Sequence, residues 1–296
     1  MEGASHEAGA LAGHLRLGKL SVFYDDNRIT IDGSTDLTYS DDAAGRFESD
    51  GWHVQDLGDA ANDLQALNGA VDSARSETER PSLIIVRSHI GFGSPNKQDT
   101  SGVHGSPLGA EEVKLTKRAY GWPEDEHFLV PSRALEHMRE AVDRGADAES
   151  EWHTRFDAYR AAHPELAEQF ENALDGRLPS GWDSGLPSYD EADGPMATRK
   201  ASGAALNAIA DQLPWLIGGS ADLAPSNNTL IEGSGDFGPD NYAGRNVRWG
   251  IREHVMAAAS TGMALLGGLR PYAATFFVFT DYARPAIRLA ALMRQP

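Results

Sequence analysis

A short polar loop around residue 27 combines oxygen atoms of the kind that bind divalent cations. It reads Tyr24-Asp-Asp-Asn-Arg-Ile-Thr-Ile-Asp-Gly33 and follows a short apolar run. Asn27 offers an amide oxygen and Ile29 a backbone carbonyl. Mg²⁺ prefers hard oxygen ligands and often keeps phosphate oxygens in its shell. The loop therefore suits a metal ion that carries a diphosphate. The alternative is an ordinary polar turn closed by Asx hydrogen bonds.

A second loop, from Gly91 to Gly109, is rich in glycine and carries Lys97 and His104. Glycine allows backbone N–H groups to approach phosphate oxygens closely. His104 can donate a hydrogen bond to a phosphate or transfer a proton near neutral pH. This loop is therefore a second candidate for phosphate binding. The alternative is a long surface loop in which the histidine is incidental.

A third loop, Gly218-Gly-Ser-Ala-Asp-Leu-Ala-Pro-Ser-Asn-Asn-Thr229, contains small polar residues and has Arg199 upstream. The planar fork of donors on an arginine matches the oxygens of a sugar phosphate. Asp222 and Ser226 are further polar groups that can face a ligand here. Loop capping explains these two residues equally well.

The string Gly250-Ile-Arg-Glu-His-Val-Met256 places Glu253 at the start of a predicted helix that is otherwise apolar. A carboxylate among such neighbours is expected to lose contact with water, which is frequent at functional sites. The alternative is a solvated glutamate that the helix dipole favours in the first turn. Downstream, aromatic residues recur every three positions at Phe276, Phe279 and Tyr282. They indicate either core packing or an aromatic wall for a flat heterocycle.

The elements that position these loops alternate between strands and helices. Helices are predicted over Glu7–Leu17, Ala60–Ala74, Ala201–Leu213, Arg252–Leu266 and Tyr282–Arg294, and strands over Leu20–Tyr24, Ser82–Val86, Trp215–Ile217 and Tyr272–Phe279. Such alternation is typical of parallel α/β sheets, in which ligands bind at the carboxyl ends of the strands. Between the two parts, Arg133–Arg144 and Ala148–Leu174 are charged, helix-forming stretches followed by a Pro- and Gly-containing loop. The predicted domains are residues 1–130, a helical connector over 131–195, and residues 196–296.

Composition excludes several classes of protein. The chain of 296 residues has a formal net charge of −18 and no cysteine, so we expect neither nucleic-acid binding nor disulfides nor thiolate metal sites. No apolar run reaches the ~18 residues of a transmembrane helix, and the first residues lack the basic-then-apolar order of a signal peptide. We therefore expect a cytoplasmic protein that contacts no membrane.

The candidate loops, taken in order, resemble transketolase over nearly the whole chain. The strings that carry the resemblance are Met1-Glu-Gly3, Ser5-His-Glu7, Tyr24-Asp-Asp-Asn27, Ile31-Asp-Gly33, Gly51-Trp-His-Val54, Ile90-Gly-Phe-Gly-Ser-Pro-Asn-Lys97, His104-Gly105, Pro107-Leu-Gly109, Gly218-Gly-Ser-Ala-Asp-Leu-Ala-Pro-Ser-Asn227, Gly250-Ile-Arg-Glu-His254 and Arg284-Pro-Ala-Ile-Arg-Leu-Ala-Ala-Leu-Met293. The resemblance implies an α/β fold of the thiamine-diphosphate-binding type, with two partial parallel-sheet lobes joined by a helical connector. Residues 1–130 would be the later part of the diphosphate-binding domain, and 196–296 the early part of the pyrimidine-binding domain.

The resemblance also implies roles for individual residues. Asn27 and the Ile29 carbonyl would hold a divalent ion, Mg²⁺ or another such as Ca²⁺ or Mn²⁺, that bridges to thiamine diphosphate. Glu253 would bind the pyrimidine ring as a catalytic residue, and His104 would reach the diphosphate and the reacting centre. The further cofactor-binding residues implied are Phe276, Phe279, Tyr282 and Asp222. The substrate-binding residues implied are Arg199, Ser226 and His104, and Glu2 and Glu7 resemble acidic residues that link paired active sites.

The implied activity is the transfer of a two-carbon ketol unit from a ketose phosphate such as xylulose 5-phosphate to an aldose phosphate such as ribose 5-phosphate. This reaction belongs to the pentose phosphate pathway and the Calvin cycle. The family works as a homodimer with active sites at the subunit interface. Its metal-ligand Gly-Asp-Gly segment would precede Met1, so the chain is expected to be an internal fragment that is inactive alone. The alternatives are dihydroxyacetone synthase, deoxyxylulose-phosphate synthase, or a non-catalytic remnant.

Overall fold

A parallel sheet forms in each half of the chain. The computed structural model describes residues 1–296 and divides them into two units. The first unit comprises Met1 and Ala12–Arg144, and the second comprises Glu2–Leu11 and Gly145–Pro296. None of the helices is both long and apolar enough to cross a membrane.

Seven strands and ten α-helices follow one another along the chain. The strands are β1 (Ser21–Asp26), β2 (Ile29–Thr30), β3 (Gly33–Ser34), β4 (His53–Asp56), β5 (Ser82–Arg87), β6 (Leu216–Ser220) and β7 (Arg270–Ala274). The helices are α1 (Ala4–His14), α2 (Ala43–Ser49), α3 (Leu64–Ser76), α4 (Ala110–Ala119), α5 (Ser132–Ala162), α6 (Pro164–Leu174), α7 (Thr198–Gln212), α8 (Ala224–Asn227), α9 (Glu253–Leu266) and α10 (Thr280–Leu292). Short 3₁₀ turns lie at Thr35–Leu37, Ala60–Asn62, Ser101–Val103, Glu191–Asp193 and Phe277–Phe279.

The sheet of the first unit has three parallel strands in the order β1-β5-β4. The central strand β5 is a continuous apolar run because both of its faces are covered, as is usual in parallel sheets. Leu83 and Ile85 pack on one face against a cluster that includes Phe47 and Trp52. Ile84 packs on the other face with helix α3. Burying each of these aliphatic side chains contributes about 1.5–3 kcal/mol.

Strands β1 and β5 end side by side, so the loops that follow them leave the same edge of the sheet. Asp26 pairs with Arg87 at the end of the ladder. The Arg87 guanidinium donates to the Asp26 carbonyl at 2.8 Å. The loop with Asn27 follows β1, and the glycine-rich loop follows β5. The predicted position of both loops at strand carboxyl ends is therefore confirmed.

The second unit is built on β6 and β7, which run parallel with Leu216 opposite Arg270 and Ser220 opposite Ala274. Its core contains Leu213, Trp215 and Ile231 among other buried residues. Helix α9 packs against β7 and α10.

Gly218 marks a point in β6 where no side chain fits. Its backbone exchanges hydrogen bonds with a passing segment, because its N–H donates to the Arg245 carbonyl at 3.0 Å and its own carbonyl accepts from Val247 N–H at 2.7 Å. A Cβ atom at this position would lie 2.0 Å from the Tyr272 carbonyl oxygen. The first glycine of the Gly218-Gly-Ser motif is therefore required by chain packing.

Several predicted elements need correction. The two predicted connector helices are divided differently, since α5 runs without interruption from Ser132 to Ala162 and α6 begins at Pro164. The predicted strand Tyr272–Phe279 is wrong beyond Ala274, where the chain enters a 3₁₀ turn at Phe277–Phe279. Strands β2, β3 and β4 and helices α2, α4 and α8 were not predicted from the sequence.

Candidate functional site

A cavity of about 600 Å³ opens at the start of α9 in the second unit. The residues that line it combine carboxylates with aromatic rings. They include Glu7, Asp222, Leu223, Glu253, Phe279 and Tyr282. Three loops named from the sequence therefore meet at one cavity, and the first turns of α1 add Glu7 to them. Asp222, two residues after the end of β6, lines the cavity from a left-handed backbone conformation with φ 54°.

Glu253 is the first residue of α9 and is only 8% exposed. Its helix continues with Val255 and Met256, both buried, so Glu253 begins a helix that is mostly withdrawn from water, as the sequence predicted. The carboxylate makes no hydrogen bond or ion pair within the chain. Because Glu253 lines the cavity, a ligand bound there can supply the hydrogen bond that the chain does not.

Glu7 supplies the carboxylate that caps α9. The N–H of Val255 donates to Glu7 Oε2 at 3.4 Å. The first amides of a helix have no partner within the helix, and they carry a partial positive charge. Because Glu7 satisfies one of them, the carboxylate of Glu253 is left free to face the cavity. Glu2, the other acidic residue named from the resemblance, is exposed and does not line the cavity.

The three aromatic residues named from the sequence form a stacked row. The rings of Phe276 and Phe279 lie 6.5 Å apart with an interplanar angle of 20°, and those of Phe279 and Tyr282 lie 6.3 Å apart at 21°. Phe276 is 42% exposed and Tyr282 is 65% exposed. Core packing does not account for rings that are this exposed. The row therefore presents flat apolar faces that a planar heterocycle can stack against.

The residues named for substrate binding are divided between different places. Arg199 lines a second cavity of about 650 Å³, together with Phe276 and Thr275. Arg199 is exposed and has no ion pair, and the Thr275 hydroxyl is buried without a hydrogen-bond partner. Ser226 lies on the short helix α8, exposed and outside both cavities. The structure of the second unit therefore groups Arg199 with Phe276 and leaves Ser226 apart.

In the first unit, Asn27 closes a tight turn. Its side-chain oxygen accepts a hydrogen bond from the Ile29 N–H at 3.0 Å, and Arg28 between them is left-handed with φ 59°. The polar turn closed by an Asx hydrogen bond is therefore present, and this bond uses one lone pair of the amide oxygen. An amide oxygen has a second lone pair, which stays available to a cation. No group of three or more His, Asp or Glu residues in the chain could hold a metal ion.

Burial of the β1 end changes the acidity of a neighbouring phenol. The pKa of Tyr24 is raised to about 12, first by burial and then by the nearby negative charge of Asp26. The Tyr24 hydroxyl donates to Asp26 Oδ1 at 3.5 Å. Tyr24 is therefore a neutral donor at physiological pH, in the strand that leads into the Asn27 loop.

His104 is exposed at the end of the 3₁₀ turn Ser101–Val103 in the glycine-rich loop. Its backbone N–H donates to the Ser101 carbonyl at 3.1 Å. Lys97, which the sequence suggested as a phosphate ligand, is used by the loop itself, because its ammonium donates to the Leu108 carbonyl at 2.7 Å. The loop therefore presents one free basic side chain, that of His104.

Four residues that line the 600 Å³ cavity were not predicted from the sequence: Ala221, Leu223, Ile251 and His254. Each lies within two positions of a predicted site residue, Asp222 or Glu253. These residues could have been predicted from the long motifs to which they belong, because the motifs include apolar neighbours of the polar residues that were named.

The chain matches two family models in succession. The model for the thiamine diphosphate binding domain of transketolase matches residues 1–179, and that for the pyrimidine binding domain of transketolase matches residues 194–296. A transketolase from Geobacillus stearothermophilus is 52% identical over the full chain and 44% of its own length.

Solved structures agree with these matches. Two transketolase structures from Pichia stipitis, a variant in complex with xylulose 5-phosphate and a complex with sedoheptulose 7-phosphate, superpose with TM-scores of 0.94 at 43% identity, and they cover 99% of the chain and 44% of theirs. The chain thus spans less than half the length of these three relatives. The parallel α/β fold, the order of the two domains and the level of identity together show that the chain belongs to the transketolase family.

Proposed function

We propose that this chain forms the part of a transketolase that binds thiamine diphosphate, and that the whole enzyme transfers ketol units between sugar phosphates. The observation that carries this proposal is the position of Glu253. The residue is 8% exposed, and its carboxylate has no partner in the chain and lines a cavity of about 600 Å³ beside two aromatic rings. This arrangement suits a flat heterocycle with a ring nitrogen, which the pyrimidine of thiamine diphosphate provides.

Each lining residue has a separate task in this proposal. Phe279 and Tyr282 cover a face of the ring, and Glu253 shares a proton with a nitrogen at the ring edge. Glu7 holds the helix start, which keeps the Glu253 carboxylate from turning back to cap its own helix. The cofactor supplies the electron sink that breaks a carbon–carbon bond beside a carbonyl. The residues of the chain hold it, orient it and exclude water.

We assign the diphosphate end to the loops of the first unit. Asn27 follows β1, and the loop with His104 follows β5, the strand beside it. In the proposal, the Asn27 amide oxygen and the Ile29 carbonyl hold a divalent cation such as Mg²⁺, whose charge neutralises the diphosphate. His104 donates to the diphosphate or to the reacting substrate. The two protein ligands are fewer than Mg²⁺ requires, so other ligands must complete its shell.

Sugar phosphates are the proposed substrates. The Pichia stipitis relatives were solved with xylulose 5-phosphate and sedoheptulose 7-phosphate. Arg199 is exposed, carries no ion pair and lines a cavity, as a phosphate ligand should. Ser226 is proposed to join it when substrate binds. We propose a role in the pentose phosphate pathway or the Calvin cycle, and a homodimer as the working assembly.

Two other thiamine diphosphate enzymes, dihydroxyacetone synthase and deoxyxylulose-phosphate synthase, are the alternatives within this chemistry. The 52% identity to a transketolase over the full chain favours transketolase over both. A non-catalytic remnant is disfavoured because the residues proposed to bind the metal, the phosphates and the ring are all present, namely Asn27, His104, Arg199 and Glu253. The substrate that is turned over distinguishes these possibilities.

A chimera tests the proposal. In it, this chain replaces the corresponding 44% of the Geobacillus stearothermophilus transketolase. We expect the chimera to transfer a ketol unit from xylulose 5-phosphate to ribose 5-phosphate in the presence of thiamine diphosphate and Mg²⁺, and the chain alone to show no turnover. Glu253→Ala in the chimera should abolish the transfer.

The matched control is Glu165→Ala. Glu165 is also a glutamate in the first turn of a helix, but it is exposed and lines neither of the two cavities described above. Its replacement should leave turnover unchanged. A folded, dimeric chimera that binds cofactor and is inactive with these sugars, or a Glu253→Ala chimera as active as its parent, would refute the proposed function.

A further inference from the structure

The glycine-rich loop of the first unit is shaped by a residue that lies outside it. Glu112 is in the first turn of α4 and is 8% exposed, although it carries a carboxylate. Beneath the loop, its Oε1 accepts from the Ser94 hydroxyl and from Asn96 N–H, the latter at 2.9 Å. Its Oε2 accepts from Asn96 Nδ2 at 2.9 Å. Three donors of one turn therefore converge on a single buried carboxylate.

These hydrogen bonds favour the charged form of Glu112. They lower the pKa of its carboxyl group, with the bond from Ser94 as the largest cause and the two bonds from Asn96 next. Ser94 is itself only 3% exposed, so its hydroxyl has no access to bulk water as a substitute partner. Without Glu112, the buried Ser94 hydroxyl would be left unpaired, which is costly, and the Asn96 N–H would lose its partner in the chain.

The turn held by Glu112 is tied to the segment that carries His104. Gly93 N–H donates to the Gln98 side-chain oxygen at 2.9 Å, and Asp99 N–H donates to the Ile90 carbonyl at 2.9 Å. The methyl groups of Val103 lie so close to Gly91 that a Cβ there would be 3.2 Å from one of them. Val103 is the immediate neighbour of His104, so a shift of the turn must move the histidine.

We propose that Glu112 is a positioning residue, whose buried carboxylate fixes the Gly91–Asn96 turn and thereby sets where the loop presents His104. The role of His104 in catalysis rests on the proposed function; the control of loop shape by Glu112 does not. Glu112 itself is buried beneath the loop and touches no reacting group. Its effect on the reaction is exerted through the loop alone.

Hydrogen exchange of the 296-residue chain tests the control of loop shape. Glu112→Met keeps the side-chain length and removes the acceptors. We expect it to speed exchange of the Asn96 and Asp99 amides by about tenfold or more, which corresponds to the loss of one or more hydrogen bonds. Exchange of the Leu83 and Ile84 amides in β5 should stay within about twofold. Glu112→Gln, which keeps an accepting oxygen, should restore most of the protection.

Two further variants separate this role from general destabilisation. Glu111→Met is the matched control, because Glu111 is in the same helical turn but exposed. Ser94→Ala removes one of the three bonds from the loop side and should give a smaller increase in exchange than Glu112→Met. The proposal is wrong if the loop amides exchange at the same rate in Glu112→Met as in Glu111→Met. It is also wrong if Glu112→Met speeds exchange of the β5 amides as much as exchange of the loop amides.

The chimera measures the consequence for the reaction. There Glu112→Met should lower kcat by about tenfold or more, because misplacement of a catalytic group by 1 Å can cost up to about a hundredfold. KM for xylulose 5-phosphate should change by less than about threefold, and Glu112→Gln should rescue most of kcat. Unchanged kcat beside a loosened loop would overturn the positioning role and leave the proposed function intact. An inactive parent chimera would overturn the proposed function, and the exchange data would still decide whether Glu112 fixes the loop.

Discussion

Glu253 is a mostly buried residue whose carboxylate has no partner in the chain, and this determines what it can do. The carboxylate lines the cavity at the start of α9 beside Phe279 and Tyr282. A ring nitrogen that accepts or shares a proton would supply the missing partner. Because the helix start and the aromatic rings are already in place around the cavity, the site is organised for the heterocycle in advance.

Replacing Glu253 by glutamine in the chimera should separate proton transfer from binding. The glutamine amide can form a hydrogen bond to the ring but cannot exchange a proton with it. We expect exchange of the proton at the reactive carbon of bound thiamine diphosphate to slow by about 10²–10⁴, the usual contribution of general acid–base catalysis. NMR of quenched samples in D₂O measures this rate.

KM for xylulose 5-phosphate should change much less, because the phosphate is assigned to Arg199 and not to Glu253. The same substitution at the exposed residue Glu165 serves as the control. Proton exchange as fast in Glu253→Gln as in the parent chimera would exclude Glu253 from cofactor activation.

Tyr272 links β7 to the loop after β6 and makes the stability of the second unit sensitive to alkaline pH. Its hydroxyl donates to the Thr229 carbonyl at 2.8 Å. Burial raises the pKa of this phenol to about 12, although Arg245 and Arg248 nearby act in the opposite direction. The folded state thus holds the proton more tightly than the unfolded state. Stability that is fully present below pH 10 is lost as the pH rises from 10 toward 12.

Tyr272→Phe should therefore have opposite effects at neutral and alkaline pH. At pH 7 we expect it to lower the free energy of unfolding by about 0.5–1.5 kcal/mol, because the hydrogen bond to Thr229 is lost. Above pH 10 the free energy of unfolding of the variant should fall less steeply with pH than that of the parent. The two slopes should differ by at most about 1.4 kcal/mol per pH unit. Urea denaturation at both pH values measures this. Tyr189→Phe, which removes an exposed phenol, should leave the alkaline slope unchanged.

At the scale of the elements, two glycines in regular structure have opposite reasons for their presence. Gly218 lies in β6 where a Cβ would meet the Tyr272 carbonyl at 2.0 Å, whereas nothing lies within 4 Å of a Cβ at Gly145 in the middle of α5. We expect Gly218→Ala to destabilise the chain by about 1–3 kcal/mol or more, as overpacking does. Gly145→Ala should stabilise it by about 0.5–1 kcal/mol, because alanine favours the helix.

Chemical denaturation of both variants checks this pair, and each serves as the control for the other. Equal effects of the two substitutions would show that helix or strand propensity alone decides the outcome. A Gly218→Ala variant as stable as the parent would mean that the chain beside β6 can move away at little cost.

The sequence predicted those elements whose signal is local. The run Leu83–Val86 identified β5, because a strand buried on both faces must be apolar throughout. By contrast, the helix break expected near Gly145 is absent, because one glycine costs only about 1 kcal/mol in a helix of 31 residues. The aromatic run after Ala274 has strand propensity, but the chain must turn there to begin α10. Tertiary packing determines the backbone conformation at such positions, and it cannot be inferred from a single sequence.

The residues of the candidate site likewise include some that the sequence could predict and some that it could not. Glu253, Asp222 and Tyr282 could be named from residue type and motif, and they line one cavity. Glu112 could not be named from the sequence, because its role depends on hydrogen bonds to Asn96 and Ser94, which lie 16 and 18 positions earlier in the chain. Nothing in the string Ala110-Glu-Glu-Val distinguishes the buried glutamate from the exposed one before it. Contacts of this kind require the fold.

At the scale of the whole molecule, the proposed function assigns the diphosphate and the ring of the cofactor to different units. Asn27 and His104 belong to the first unit, and Glu253 and Tyr282 belong to the second. We propose that one cofactor is shared between two chains. In that arrangement, the first unit of one subunit provides the diphosphate loops and the second unit of its partner provides the ring pocket. Residues that serve one cofactor would then come from different copies of the chain.

Complementation between two inactive chimeras tests this shared-site model. An Asn27→Ala subunit lacks a metal ligand, and a Glu253→Ala subunit lacks the group that activates the ring, so each homodimer should be inactive. In a mixed dimer, one site receives both defects and the other receives Asn27 and Glu253 intact. With equal exchange, half of the dimers are mixed and half of their sites are intact, so we expect about a quarter of the parent activity. Differently tagged subunits confirm that exchange has occurred. The control mixes Asn27→Ala with a His104→Ala chimera, whose defect lies in the same unit, and no mixed dimer of these two can assemble an intact site. Activity in that control, or none in the Asn27 and Glu253 mixture after confirmed exchange, would contradict a site shared between subunits.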